Sequence, residues 1–410
     1  MSFTAAARLL PPGVSGDAAR IVAARGLRCF VDGFVSVYLA QYLGLLGLSI
    51  FEVGAVVTST LVGSAACTLA VGLVAHRLAP RRILLGASVL MLATGLGFAV
   101  LGDFWPILLI AFAGTLNPSS GDVSVFLPTE QAVLAGEAPG GQRTVLFARY
   151  SLTGTLTGAF GALASALPGL ASERLGVDPL TAFRAGFVVY ALTAVGIGAL
   201  YLRMRHGRSK SPSAGAPRTP LRQSRAVVVR LTALFALDSF GGGFAVDAML
   251  ALWLMLRFEL PLPVAGSVFF VARLLSAFAQ LLSPRLAARF GLIETMVFTH
   301  IPANVFLILA AFASDAVTAI GFLLARMTLS QMDVPARTSY VMSVVPPEER
   351  AAAASVTNVP RSLATAMSPL LAGALLEVST FGWPLVIGGA IKIVYDLLLF
   401  ALFRRTTPPE

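Results

Sequence analysis

"PTEQAVLAGEAPGGQR" at 128–143 and "PARTSYVMSVVPPEER" at 335–350 read as one stretch written twice. Pro128 meets Pro335, Pro139 meets Pro346 and Arg143 meets Arg350, each pair 207 residues apart. Two more pairs follow in the same order at nearly that distance. "RLAPR" (77–81) answers "RLAAR" (285–289), and Asp32-Gly-Phe34 answers Asp238-Ser-Phe240. Any one match is within chance. Three in the same order, at nearly one offset, argue for a duplication of about half the chain.

Composition says what was duplicated. The 410 residues are 57% hydrophobic and only 12% charged, against roughly 25% charged in soluble proteins. Too few charges remain to clothe a surface facing water. Apolar runs recur from end to end, for example at 83–101, 105–116, 183–202 and 383–403. A run of about 18–20 apolar residues is long enough to cross a bilayer. The expected spans are 21–43, 51–76, 83–101, 106–134, 143–168 and 183–203, then 228–256, 263–284, 292–313, 317–345, 350–377 and 384–404. Lipid tolerates no irregular backbone, so the spans are helices. The expected fold is an all-α membrane protein of twelve transmembrane helices in two pseudo-symmetric six-helix bundles. The bundles are placed at 21–204 and 228–405. A tail (1–20), a basic linker (205–227) and a short C-terminal tail (406–410) flank them.

The net charge is +10, and its distribution excludes a nucleic-acid partner. Basic residues collect in the linker "RMRHGRSKSPSAGAPRTPLRQSR" (203–225), at Arg77, Arg81 and Arg82, at Arg285 and Arg289, and at Arg404 and Arg405. The alternating connections carry few. Positive loops stay inside, which places the linker and both termini in the cytoplasm and the chain, multi-pass, in an inner membrane. The first twenty residues lack the apolar core and cleavage site of a signal peptide. Cys29 and Cys67 sit in spans and make no disulfide pattern. There is no Gly-Lys-Ser/Thr phosphate loop, zinc-protease helix or nucleophile elbow, which argues against an ATP-driven pump and against a hydrolase. No enzyme activity, cofactor or metal is expected.

Two six-helix halves, a basic linker and a basic loop after the second span resemble the major facilitator superfamily. "GLVAHRLAPRR" (72–82) is similar to that family's loop signature at Gly72, Arg77 and Arg81, with His76 where Asp is usual and Ala79 where Gly is usual. "GTLTGAFGA" (154–162) looks like the glycine-rich motif of the family's exporters at Gly154, Gly158 and Gly161, with Ala159 in place of Pro. The resemblance implies a central cavity lined by spans 1, 4, 7 and 10, with solute bound near the midplane while the halves rock about it.

Ionisable residues fall on those four spans, while Arg149, Arg273, Arg361, Lys392 and Asp396 sit elsewhere. Charge at the bilayer centre costs at least about 2.5–3.5 kcal/mol, so it faces a cavity or a partner. Asp32 lies in span 1, Asp122 and Glu130 in span 4, Asp238 and Asp247 in span 7, and Arg326, Asp333 and Arg337 in span 10. Asp32 and Asp238 occupy matching depths and suit reversible protonation, or a buried structural hydrogen bond. Tyr38, Gln41, Trp253, Gln331 and Arg361 join Asp122, Asp247 and Arg326 as candidates to shape the substrate cavity. Packing is their ordinary alternative. Asp333 and Arg337, one turn apart, either neutralise each other or form a cytoplasmic gate with Glu130, which stands at the duplicated position of Arg337. The plainer local readings are a Glu130–Arg149 bridge, a Lys392–Asp396 pair, Arg25 and Arg28 snorkelling to headgroups, and Met296 with His300 as core. "NPSSGD" (117–122) and "GGG" (241–243) interrupt two of the cavity spans.

The expected function is secondary transport of a small organic solute by alternating access. Proton coupling is expected, and the partial glycine motif tips the balance toward export. The chain is expected to work as a monomer in the bilayer. Import or uniport of a polar or anionic metabolite or a metal ion stays open, as does a receptor on the same fold.

Overall fold

A computed structural model of the chain describes residues 15–74, 77–118, 124–137, 140–205, 224–346 and 349–404. Every regular element among them is a helix. In the first half these are α1 (Gly16–Leu45), α2 (Ile50–Val74), α3 (Pro80–Val100), α4 (Phe104–Ala113), α5 (Leu127–Glu137), α6 (Gly140–Ala164), α7 (Leu167–Leu175) and α8 (Pro179–Leu202). The second half holds α9 (Arg225–Gly243), α10 (Asp247–Phe258), α11 (Leu262–Phe290), α12 (Leu292–Phe312), α13 (Ala316–Met327), α14 (Asp333–Val344), α15 (Arg350–Val378) and α16 (Trp383–Phe403).

The chain forms two compact units, residues 1–48 with 59–216 and residues 49–58 with 217–410. The first is held by aromatic packing. Tyr38 meets Phe34, Phe183 and Phe187 edge-on, with ring centroids 4.8, 5.3 and 5.4 Å apart, and Phe98 stacks on Phe187 at 5.1 Å. Helices α1 and α6 approach closely because glycine allows it. A Cβ on Gly161 would strike the Phe30 carbonyl, and one on Gly33 the Gly158 carbonyl. The export-like glycine run is therefore also the packing face of α6. Capping fixes the helix starts. Ser15 Oγ accepts from the amides of Asp17 and Ala18 at 3.2 and 3.3 Å, and the Asp178 carboxylate accepts from the Thr181 amide at 2.9 Å.

The second unit has a mixed core. Phe235, Met296, Tyr340, Tyr395, Leu399 and Phe403 cluster at its centre. Helix α9 lies against α15, where a Cβ on Gly243 would strike the Thr365 carbonyl. In this helix, too, the glycines serve close packing.

Three expected spans are broken, because backbone chemistry overrides hydropathy. Span 106–134 divides into α4 and α5. Helix α4 ends at Ala113, and Pro118, which has no amide hydrogen, lies beyond it. Span 228–256 divides at the glycines, and Val246 is extended (ψ 153°) before α10 begins. Span 317–345 divides after Met327, where the Arg326 carbonyl accepts from the amides of Leu329 and Ser330 at 3.1 and 2.9 Å and turns the chain. Twelve crossing helices were expected. Among the described residues, nine helical segments are long and apolar enough to cross a membrane, with Phe104–Ala113 and Ala316–Met327 as shorter apolar helices. Spans 4 and 10 are divided between short helices, and α1 carries Arg20, Arg25, Arg28 and Asp32.

Candidate functional site

Each unit holds a buried ionic cluster tying its first helix to its fourth span. In the first unit the centre is Glu130 on α5, which has no exposed surface. Arg28 of α1 donates to both of its oxygens, Nη1 at 3.0 Å and Nη2 at 2.8 Å. Tyr150 of α6 and Tyr201 of α8 each donate a hydroxyl at 2.5 Å. Four donors meet the roughly four lone-pair sites of a carboxylate. The Arg28 guanidinium also lies 4.5 Å from the Phe126 ring centroid, and Arg25 lies 5.1 Å from that of Tyr150. Arg28 does not snorkel, because its partner is buried beside it. Glu130 takes Arg28 rather than Arg149.

In the second unit the centre is Asp238 on α9. Lys392 of α16 approaches Oδ1 at 2.5 Å and Arg337 of α14 approaches Oδ2 at 3.1 Å. Arg337 also lies 3.3 Å from Asp333 on its own helix. His300 of α12 stands between two carboxylates, with Nδ1 2.9 Å from Asp396 and Nε2 3.8 Å from Asp238. The amide nitrogen of Asn304 adds a contact to Asp396 at 3.4 Å. The expected Lys392–Asp396 pair is therefore replaced. Lys392 turns to α9 and Asp396 to α12, since each finds an opposite or complementary group there. Arg361 donates to Ser239 Oγ at 3.2 Å and to Asn358 at 3.4 Å, which brings α15 to the edge of the cluster.

The duplicated positions thus carry mirrored charge. Glu130 on α5 pairs with a cation of α1, and Arg337 on α14 pairs with an anion of α9. Sequence reading singles out Asp238, Asp333 and Arg337, which the fold brings together. It misses Arg28, His300, Lys392 and Asp396 as members. Their signal was present as charge in an apolar span, which local pairing rules explained away.

The remaining candidates are scattered. Asp32 is buried on α1, one turn beyond Arg28. Tyr38 and Trp253 have no exposed surface and pack as core, Tyr38 among phenylalanines and Trp253 edge-on to Phe258 at 5.5 Å, so neither lines an open cavity. Gln41 and Gln331 are half-buried, Gln331 in the turn between α13 and α14. Asp247 bonds Arg273 of α11 at 2.7 Å. In the loop motif, Gly72 is exposed at the end of α2, and Arg81 donates to the Leu202 carbonyl at 2.5 Å, a cation at the C-terminus of α8. His76 and Asp122 lie outside the described residues.

Residues 21–359 match the family model described as Major Facilitator Superfamily. The chain belongs to the Major Facilitator Superfamily. This superfamily member is 24% identical to the uncharacterized membrane protein YJR124C of Saccharomyces cerevisiae, over 92% of each chain. Its fold is similar to that of the nucleoside transporter NupG (TM-score 0.73, 13% identity, 96% of this chain and 100% of that one). It is also similar to the xylose transporter XylE from E. coli (TM-score 0.72, 14% identity, 93% and 95%). A bacterial homolog to the human lysosomal transporter Spinster matches equally well (TM-score 0.73, 15% identity, 97% and 99%). Family and fold together make it a multi-pass membrane protein of the secondary-transporter type.

Proposed function

We propose that this chain moves a small organic solute across an inner membrane by alternating access, coupled to protons, with export as its direction. The observation that carries the coupling is the Asp238 carboxylate, shared by Lys392 and Arg337 from two other helices. A proton on Asp238 would remove the acceptor that holds both cations. Lys392 would then be buried without its carboxylate and Arg337 would be left with Asp333 alone, which is unfavourable. Protonation and a rearrangement of α9, α14 and α16 are thereby linked. His300, 3.8 Å from Asp238 and 2.9 Å from Asp396, joins the two carboxylates and serves as the relay. Arg337 is the element with two partners, Asp238 and Asp333. Asp32, at the duplicated position on α1, is the second coupling carboxylate. Gly154, Gly158 and Gly161 favour export by their resemblance to the exporters' motif. The linker and both termini are cytoplasmic by the charge distribution.

The test is transport in proteoliposomes, screened over metabolites and drugs with and without an imposed pH gradient. Asp238→Asn should abolish gradient-driven accumulation and spare solute exchange. Wild-type accumulation and pH dependence in Asp238→Asn, Asp32→Asn and the double variant would remove proton coupling through these residues.

A further inference from the structure

Among the described residues, the Asp238 cluster leaves one buried cation of the second unit out. Arg326 closes α13 just before the turn to α14, and it is only 8% exposed. No carboxylate among the described residues lies within ion-pair distance of it. Its Nε has no hydrogen-bond partner, and the contact of its Nη1 is the Met327 sulfur at 3.7 Å. The carboxylates whose fields reach it are Asp247 and Asp238. Asp238 holds Lys392 and Arg337, and Asp247 bonds Arg273 at 2.7 Å. The neighbouring hydroxyls do not supply an anion either. Ser330 Oγ lies 3.8 Å from the same sulfur, and Ser276 Oγ donates to the Ala272 carbonyl at 2.9 Å while lying 3.7 Å from it.

A thioether is a weak acceptor. A buried guanidinium whose hydrogen-bond partner among the described residues is a thioether is a costly arrangement that folding alone does not call for. The place is rich in donors and poor in acceptors, and it sits at a helix break. That is the inverse image of a carboxylate or phosphate, whose planar or tetrahedral oxygens suit the guanidinium fork.

We infer that Arg326, with Ser330 and Met327 at the α13–α14 break, is the receptor for an anionic group of the solute. The inference rests on the transport reading and names the class of solute within it. Arg326 supplies the charge, Ser330 a hydroxyl donor, and Met327 a polarisable wall that yields when the anion enters. Removing a charged hydrogen bond of this kind weakens affinity about tenfold to a hundredfold.

The experiment reads binding without transport. In purified protein with Cys29→Ala and Cys67→Ala, the substitution Met327→Cys places a thiol beside the guanidinium. A parallel Ser330→Cys chain serves where the first does not give a monodisperse protein. Reaction with neutral methyl methanethiosulfonate is followed in the presence of benzoate, glutarate or inorganic phosphate, and of the uncharged benzamide and glutaramide. At least one anion should slow the reaction while the amides do not. The anion that protects distinguishes a carboxylate from a phosphate site. Arg326→Gln should raise the protecting concentration about tenfold or more, and Arg326→Lys should keep part of the protection. The inference is overturned by a thiol that does not react, by anions that protect no better than amides, or by full protection in Arg326→Gln. A protein that binds anions but carries no solute would fail the transport reading alone. A working transporter protected by no anion would fail this inference alone.

Discussion

Replacing Arg28 by Met tests whether the first cluster holds the first unit together. The substitution keeps an apolar stem of similar reach and deletes the two charged bonds to Glu130, at 3.0 and 2.8 Å. Glu130 remains fully buried with its charge. Breaking a buried pair from one side costs about 3–5 kcal/mol. The two tyrosine hydroxyls stay in place and keep part of the compensation, so the lower end, about 3 kcal/mol, is expected. For a unit of this size that is a fall of about 6–12 °C in melting midpoint. Adding Glu130→Gln should return part of the loss, because a neutral amide accepts from one tyrosine through its oxygen and donates to the hydroxyl of the other through its nitrogen, without a stranded charge. The assay is thermal unfolding in detergent, followed by monodispersity on size exclusion, for both single variants and the double. If Arg28→Met costs less than about 1 kcal/mol, the range of exposed ion pairs, Arg28 behaves as a snorkelling residue and the reasoning fails. A double variant worse than the sum of the singles would fail it too.

Gly161→Val should prevent tight packing of α1 on α6 and cut the yield of monodisperse protein, whereas Gly136→Val, at a glycine with open space around it, should not. The charge swap Glu130→Arg with Arg337→Glu should restore part of the transport that each single variant loses, if the two positions exchange partners during the cycle. No rescue in the uptake assay leaves each residue tied to its own unit. A cysteine at Ser213→Cys should label from the cytoplasmic side and one at Thr181→Cys from the opposite side, and labelling of the first from outside intact cells would reverse the orientation. At the start of α8, the Thr181 amide and hydroxyl hold the Asp178 carboxyl below its ordinary range. A depressed carboxyl stabilises above its unfolded value and loses that contribution as pH falls through its folded one. Asp178→Ala should therefore lower the melting midpoint at pH 7, and the difference should fade as pH falls below about 4. A difference that persists at low pH would show that the cap does not act through its charge.

The fold was legible because its two signals are redundant. Hydropathy marked the spans, and the Pro128/Pro335 register marked the duplication. The breaks were half-legible. Gly241–Gly243 and Pro118 announced two of them, but the turn after Met327 is made by backbone bonds to the Arg326 carbonyl, which no residue type signals. Charged residues on the cavity spans were visible, but their partners were not. Pairing rules along one helix offered Lys392–Asp396 and Asp333–Arg337. Only the second forms, because the partners of Lys392 and Asp396 sit on α9 and α12, far away in sequence. Tyr38 and Trp253 misled because amphipathic aromatic residues in a span serve packing and binding equally well by composition.

The Arg28–Glu130 pair has an electrical consequence. A unit charge moved across the whole membrane does work of about 2.3 kcal/mol per 100 mV. Arg28 and Glu130 cancel each other and are bonded together, so any displacement of the first unit that carries both moves no net charge at this cluster. In the second unit Arg326 has no such companion among the described residues. Whatever moves α13 along the membrane normal moves a whole positive charge through the field, and an anion seated on it would cancel that charge. The first cluster can then respond to its surroundings only mechanically. The site at Arg326 can feel the voltage, and feel it differently when empty and when full.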